Sequence, residues 1–449
     1  MTNTQDSTVE RFAGWDYYPD LLATPVPRYT SYPTAAEFTD GDFASAQAKA
    51  LRDLRGSASL YVHIPFCERI CWYCGCNTSA ANRIDRVANY LEALANEIET
   101  VSGLLDPSLR ITRIALGGGS PNAITATDFV RLADCLTLHF RTEAPDISIE
   151  IDPRSLTPEF LMAIRGVGVT RASLGVQTLD PKVQAAIGRV QPREDIERAV
   201  EGLRGAGVKS LNFDLMYGLP FQTDAVLAET LDATIAMAPE RIALFGYAHV
   251  PHMIARQRQI DDSELPGQRE RFRMAAEGHA RLARAGYRPI GFDHFALPHD
   301  ELARAAESGT LRRNFQGFTE DQAPALIGLG ASSISEFPGL LVQNEKNSGR
   351  YRMLTACRTV SGRRGVVRTE DDRRRGAVIA ALLCQGQALV DTDLLASVRD
   401  RLAPFVERGL ARVNGRHVAL CPGAEPYART IAALFDAYRT GPRQFSSAV

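Results

Sequence analysis

The sequence predicts an α/β protein: parallel strands arranged as a barrel or part of one, an extended arm before them and a small winged-helix-type domain after them. Three observations predict it. From residue 59, short apolar runs alternate with amphipathic helical stretches six or seven times without a long break, and repeated βα units imply a parallel sheet. Polar or glycine residues recur where each apolar run stops. Residues 368 to 440 lose this rhythm and read as helix, helix, hairpin, helix.

The arm, residues 1–55, contains AGWDYYPDLLATPVPRYTSYPTAAEF, rich in proline, tyrosine and threonine, with no sustained periodicity before FASAQAKALRDL. Such a segment is ordered only by lying on something else. The βα region, residues 56–300, opens with LYVHI and the helix RIDRVANYLEALANEIETV. ITRIALGGG then precedes TDFVRLADCLTLHF, DISIEIDP precedes TPEFLMAIRGVGV, and RASLGVQ precedes PREDIERAVEGLRGAGV. SLNFDLMYGLP and RIALFGYAHVP each lead into a further helix, and IGFDHFA is the last candidate strand. The strand ends carry Gly118, Gly119, Glu150, Gln177, Asp214, His249 and His294. Parallel α/β folds gather such ends on one face, where their sites lie.

Residues 301–367, with RRNFQGF and ALIGLGASSISEF, form a bridging region without a readable period. In the C-terminal domain, residues 368–449, DRRRGAVIAALLCQG and TDLLASVRDRLAPFVERG are helical, GLARVNGRHVAL carries an Asn-Gly turn, and PYARTIAALFDAYR is the final helix. The arginines at 363, 364, 368 and 373–375 could suggest nucleic acid. They are interleaved with Glu370, Asp371 and Asp372, and the chain's net charge is −2, which favours a solvated surface.

Hydrophobic residues make up 45% of the chain and charged residues 23%, ample for a buried core. No apolar run approaches the roughly 18 residues of a membrane span, and MTNTQDSTVE lacks the marks of a signal peptide. The expectation is a cytoplasmic protein with no membrane or nucleic-acid partner. In a reducing compartment, clustered cysteines point to metal or catalysis. Cys135, with Leu132, Leu136 and His139 at helical spacing, reads as core packing, as does Cys384.

CERICWYCGC, residues 67–76, places four of the eight cysteines in ten positions, directly after a strand. A structural zinc site usually joins two separated pairs, and no second pair exists here. A redox C-x2-C would leave Cys67 idle. Cys67, Cys71 and Cys74 on one short loop suit an iron–sulfur cluster. Cys76, two residues from Cys74, would tend to point away from its corner.

C-x3-C-x2-C with an aromatic residue, Tyr73, before its last cysteine resembles the radical S-adenosylmethionine (radical SAM) superfamily, as does LGGGSP after the second strand. That resemblance implies a partial (β/α)6 barrel, a 4Fe–4S cluster on Cys67, Cys71 and Cys74, and S-adenosylmethionine on the iron left open. SLYVHIPFCERICWYCGCN, RYTSYPTA, DISIEIDPR, GVQ, DLMYGLP, YAHVP, DHFA, RNFQGF and QFS follow one another from Arg28 to Ser446. Together they resemble, more narrowly, the bacterial oxygen-independent coproporphyrinogen III oxidases, whose pattern includes Cys76.

The implied reaction converts the ring A and B propionates of coproporphyrinogen III to vinyl groups, giving protoporphyrinogen IX in anaerobic haem biosynthesis. A 5′-deoxyadenosyl radical would take hydrogen from the propionate carbon next to the ring. Cluster potentials span roughly −700 to +450 mV and sulfonium cleavage needs the low end, so a low-potential donor of flavodoxin or ferredoxin type is the expected partner of a monomer. Carried over by position, Tyr61, Gly118, Glu150 and Ile334 would contact the cluster-bound cofactor. Tyr73, Gly119, Ser120, Gln177, Arg189, Asp214 and Ala248 would contact a second S-adenosylmethionine. Tyr61, His63 and Cys76 are the candidate catalytic residues, and Arg28, Arg312, Arg313 and Arg443 the candidate cations for a tetracarboxylate. Ser120 stands where the family commonly has Thr, and Tyr73 where it often has Phe. The rival expectations are a haem chaperone and a methylating, haem-degrading enzyme; Cys76, the arm and RNFQGF separate the oxidase from both.

Overall fold

The computed structural model describes residues 9–81 and 84–439. Its central sheet is built from β1 (Ser57–Ile64), β2 (Arg110–Gly118), β3 (Thr142–Ile151), β4 (Arg171–Gln177), β5 (Ser210–Tyr217) and β6 (Arg241–Gly246). These pair in parallel in chain order. The crossovers carry α1 (Ile84–Ser102), α2 (Ala126–His139), α3 (Pro158–Val167), α4 (Arg193–Gly205) and α5 (Asp224–Met237). Three of these helices start on a threonine whose hydroxyl accepts a first-turn backbone N–H: Thr125, Thr157 and Thr223. That satisfies donors the helix itself leaves over.

Alternation along the strands separates two faces. Leu60, Val62 and Ile64 of β1, Ile147, Ile149 and Ile151 of β3, and Leu211, Phe213 and Leu215 of β5 are buried in the main core, where the helices pack. The opposite face carries Ser59, Tyr61 and His63, Ser148 and Glu150, and Asn212 and Asp214. A cavity of about 300 Å³ is lined by Ser59, Arg113, Glu150, Ser173, Asp214 and Phe245, one from each of the six strands, so the sheet curls around it. The expected α/β fold with a central parallel sheet is present.

At the N-terminal ends of the strands the lumen is closed by charge. Arg113 Nη1 donates to Glu320 at 2.7 Å, and Arg171 and Arg241 converge on the same carboxylate. Burial alone would raise Glu320, but the guanidiniums of Arg241, Arg171 and Arg113 outweigh it and hold the carboxyl below its usual range.

Several expectations need correction. IGFDHFA does not continue the parallel series: β7 (Arg288–Ile290) and β8 (His294–Ala296) form an antiparallel pair, and β8 lies antiparallel to β6. The three residues between β7 and β8 leave no room for the crossover that parallel pairing needs. The bridging region extends the sheet past β1. There β9 (Leu326–Leu329) pairs in parallel with β1, followed antiparallel by β10 (Ile334–Phe337), β11 (Leu340–Asn344) and β12 (Gly362–Val367). Strands of four to six residues are too short to show a period. His139 is exposed rather than packed with Leu132 and Leu136.

The C-terminal region runs helix Glu370–Gln385, strand Gln387–Leu389, helix Thr392–Glu407, then the hairpin Ala411–Asn414 and His417–Leu420. Its final helix is short: Ala428–Ala432 tightens into a 3-10 turn, Ala433–Phe435, after which Asp436 is extended and accepts the Tyr29 hydroxyl at 2.9 Å. Trp15, Leu22, Val26, Tyr29 and Tyr32 of the arm are buried in one core with Leu382, Val398, Phe405 and Ile431 of this region, and with Phe272 of α6 (Gln268–Arg284). The arginine run is interleaved with acids in space too: Arg363 meets Asp42, Arg364 Asp40, Arg368 Glu336, and Arg374 and Arg375 Asp371.

Candidate active site

The site lies at the C-terminal ends of β1 to β5. Tyr61 and His63 are two residues apart on β1 and face the lumen together, with the Tyr61 hydroxyl 3.2 Å from His63 Nδ1. Phe315 meets the Tyr61 ring edge-on, centroids 4.7 Å apart. On its other side His63 Nε2 lies 3.3 Å from the Asn77 carbonyl and 3.4 Å from Ser332 Oγ. Burial lowers His63 to about 4, so the ring is neutral at pH 7.

Gly117 and Gly118 end β2 and Gly119 follows it, and each is held by a neighbour. A Cβ at Gly117 would come within 2.6 Å of Glu150 Oε1, one at Gly118 (φ +114°) within 2.5 Å of the His63 ring, and one at Gly119 within 2.4 Å of the Phe66 carbonyl. The glycines therefore let β2 pass between His63 and Glu150 at backbone distance. The Gly118 N–H donates to Glu150 Oε2 at 3.1 Å. Burial raises Glu150 to about 7, against the lowering effect of that N–H. Ser120 is buried, and its hydroxyl is engaged with Asn122 Oδ1 at 2.7 Å.

The cysteine loop follows β1. It is pinned by the Trp72 N–H to the Ile187 carbonyl at 3.0 Å, and the Trp72 ring lies over Gly188, where a Cβ would meet it at 2.8 Å. Gln257 joins two further candidates by donating to the carbonyls of Tyr73, at 2.9 Å, and Ala248, at 3.1 Å. Arg189, 6% exposed, donates to Cys71 Sγ at 3.3 Å and to the Gly175 carbonyl from both Nε and Nη2. Asp152 pairs with Arg154 at 2.6 Å and Arg189 at 3.4 Å. Burial would raise Asp152, but Arg189 and Arg154 outweigh it and keep it ionised. Cys76 is exposed, and its N–H lies 3.4 Å from Cys74 Sγ.

The residues fit a cluster better than a single ion. Four thiolates around one zinc sit about 3.8 Å apart, given Zn–S bonds of about 2.3 Å. Among the described residues, the trio whose ligand atoms all lie within 4.8 Å of one another is Asp146, Glu301 and Glu320 on the barrel floor, not the cysteines. Arg113 and Arg171 already occupy that acidic trio. Burial, and the Cys74 and Cys71 sulfurs, raise the Cys67 thiol to about 12, so forming the thiolate takes a bound metal or a neighbouring cation such as Arg189.

The remaining candidates divide. Asp214 accepts Ser173 Oγ at 2.9 Å and Asn212 Nδ2 at 2.8 Å on the inner wall, and burial raises its carboxyl. Gln177 is buried with φ +65° at the end of β4. The Ile334 backbone crosses Gly328, the β9 partner of Tyr61. His249 meets Tyr247 at 2.9 Å rather than the lumen, whereas His294 lines the cavity. Arg28 lies over Phe245, and Arg313 over Phe318 and Phe292. Arg312 points outward to the Ala323 carbonyl. Arg443 and QFS lie outside the described residues.

Sequence reasoning missed Asp152, Arg154, Phe315 and Ser332. The first two follow β3 in DISIEIDPR and Phe315 is inside RNFQGF, so the segments were visible but not the roles of these side chains. Ser332 carries no signal, because its place depends on β9 pairing with β1.

Residues 61–234 match the radical SAM superfamily. The chain is 39% identical over 434 residues to an oxygen-independent coproporphyrinogen III oxidase from Bradyrhizobium diazoefficiens, covering 94% of this chain and 96% of the relative. It is 40% identical over 428 residues to one from Pseudomonas aeruginosa, covering 92% and 93%. The chain belongs to the oxygen-independent coproporphyrinogen III oxidase family. The solved structure of coproporphyrinogen III oxidase from Escherichia coli, described as a radical SAM enzyme, superposes with a TM-score of 0.88 at 35% identity, covering 94% of this chain and 99% of that one. As a radical SAM member of this family, the chain is an oxidoreductase with a 4Fe–4S cluster and S-adenosylmethionine as its cofactors.

Proposed function

We propose that the chain oxidatively decarboxylates the two propionates of coproporphyrinogen III that become vinyl groups, in anaerobic haem biosynthesis. The observation that carries this reading is near-full-length identity to oxygen-independent coproporphyrinogen III oxidases, extending through the arm and the C-terminal region. Cluster and S-adenosylmethionine together supply the hydrogen-abstracting reagent. Cys67, Cys71 and Cys74 would hold the cluster, with Arg189 and Arg154 at Cys71 balancing thiolate charge. Glu150 would take the cofactor's ammonium at an oxygen already oriented by Gly118, and the glycine edge of β2 leaves backbone available to it. Tyr61 and neutral His63 would form its wall.

A second S-adenosylmethionine would extend from Tyr73 and Ala248 toward Gln177 and Asp214, with Gly119, Ser120 and Arg189 beside it. Arg28 and Arg313, held over Phe245 and Phe318 of the cavity wall, would meet substrate carboxylates. The donor would be a low-potential flavodoxin or ferredoxin, and the working form a cytoplasmic monomer. No described helix is long and apolar enough to cross a membrane. Anaerobic incubation of reconstituted protein with coproporphyrinogen III, S-adenosylmethionine and reductant tests the reaction. The expected outcome is protoporphyrinogen IX with 5′-deoxyadenosine; 5′-deoxyadenosine without a vinyl product would sink it.

A further inference from the structure

A cluster on the cysteine loop must take electrons from outside the chain, and this loop reaches the surface. Glu68, Arg69, Gly75, Cys76 and Asn77 are exposed. The surface around them is cationic. Arg69 lies between two of the cysteines with its carbonyl held by Arg154 at 3.4 Å. Arg256 crosses the end of the loop, its guanidinium resting on neutral oxygens: Thr78 Oγ1 at 3.1 Å and the Cys76 carbonyl at 3.5 Å. The Asn77 amide reaches the carbonyl of exposed Lys346 at 3.5 Å, and Arg364 lies close enough to Lys346 to act on its charge.

Asp40, paired with Arg364, and Glu68 only partly offset these cations. Met253 is 68% exposed, and its neighbour Ile254 packs on Gly75, so an apolar spot sits among the positive charges. Methionine and arginine are enriched at protein interfaces. The whole chain carries a net charge of −2, so this surplus is local.

We propose that this face docks an acidic, low-potential one-electron carrier protein of flavodoxin type, steered onto the cysteine loop by Arg69, Arg256 and Lys346. The proposal rests on the reading of that loop as the cluster socket. In the encounter the carrier loses one electron, the cluster gains it, and no bond is made or broken. Opposite charge accelerates such encounters at low salt, and the effect fades as salt rises.

The test uses the cluster-loaded protein without porphyrin, so it does not depend on the substrate assigned above. Cluster bleaching is followed by anaerobic stopped flow with two reductants: an acidic flavodoxin as hydroquinone, and reduced methyl viologen, a small cation. Binding of oxidised flavodoxin is measured by calorimetry at low and high salt. Arg69→Glu combined with Lys346→Glu should slow flavodoxin-driven bleaching by about tenfold or more, flatten its salt dependence and weaken binding. The milder pair Arg69→Gln and Lys346→Gln should fall between. Iron content should not change and the viologen rate should not fall, and Arg141→Glu, just before β3, should change nothing. An unaltered flavodoxin rate and salt slope overturns the proposal, and so does an equal loss with viologen. A protein that holds no reducible cluster overturns both the docking face and the socket.

Discussion

Arg189 donates to the Cys71 sulfur at 3.3 Å while its other nitrogens hold the Gly175 carbonyl at the end of β4. One buried guanidinium thus ties the cysteine loop to the barrel wall and to Asp152. Arg189→Ala should cost about 1–3 kcal/mol: Asp152 keeps Arg154 and the Gly175 carbonyl keeps Gln191 Nε2, so what is lost is the guanidinium's own hydrogen bonds. Urea unfolding of the cluster-free protein measures this as a lower midpoint. Arg189→Lys should recover only part of it, since an ammonium cannot fork between two acceptors.

Cys71 is buried beneath Arg189 and Arg154, whereas Cys76 is exposed. Cys71→Ser should abolish cluster assembly, and Cys76→Ser should leave iron in place. Iron and sulfide content after reconstitution decides; equal loss in both would make Cys76 a ligand.

Glu150 is raised by burial to about 7, so the folded state binds its proton more tightly than the unfolded state does. The stability this contributes is complete below the unfolded value near 4.5 and is lost as pH rises through about 7. Glu150→Gln, always neutral, should be more stable than the parent at pH 8 by up to about 3 kcal/mol and no different near pH 4. Cluster-free protein unfolded in urea at the two pH values gives the comparison, and the variant should bind S-adenosylmethionine more weakly.

Glu97 on α1 is 1% exposed and accepts four hydrogen bonds: from Gly330 N–H at 2.6 Å, Tyr351 at 2.7 Å, Ser361 at 2.8 Å and Asn344 at 2.9 Å. It fixes the turn that presents Ser332 to His63. Glu97→Gln replaces one acceptor with a donor facing donors, and should cost about 2–3 kcal/mol. A variant within 0.5 kcal/mol of the parent would show that the turn is held otherwise.

Asp214 should govern cofactor number. Asp214→Asn should reduce bound S-adenosylmethionine from two equivalents toward one in equilibrium dialysis, and unchanged stoichiometry would remove Asp214 from a second site.

The parts legible in the sequence were those fixed by local chemistry. β1 to β6 alternate clearly because one face of each strand is buried, and the cysteine loop and the glycine edge announce themselves by composition. The bridging region was unreadable because β9 is defined by its pairing with Ser59–Val62, more than 250 residues earlier. The tie that Arg189 makes carries no local signal, because Cys71, Asp152 and Gly175 surround it only in the folded chain. The final helix was overestimated: past its closing turn Asp436 is extended and answers to Tyr29, a contact no local window contains.

The shared core of arm and C-terminal region sets an order of events during synthesis. Tyr29 leaves the ribosome 407 residues before its partner Asp436. At roughly 5–20 residues per second, that is about 20–80 s in which the barrel strands are completed and α6 offers Phe272 and His279 to Trp15, while the C-terminal partners of Tyr29 and Tyr32 are still to come. The first segment made is therefore among the last to be seated. Its aromatic residues are a natural grip for a chaperone, and their burial marks a finished chain.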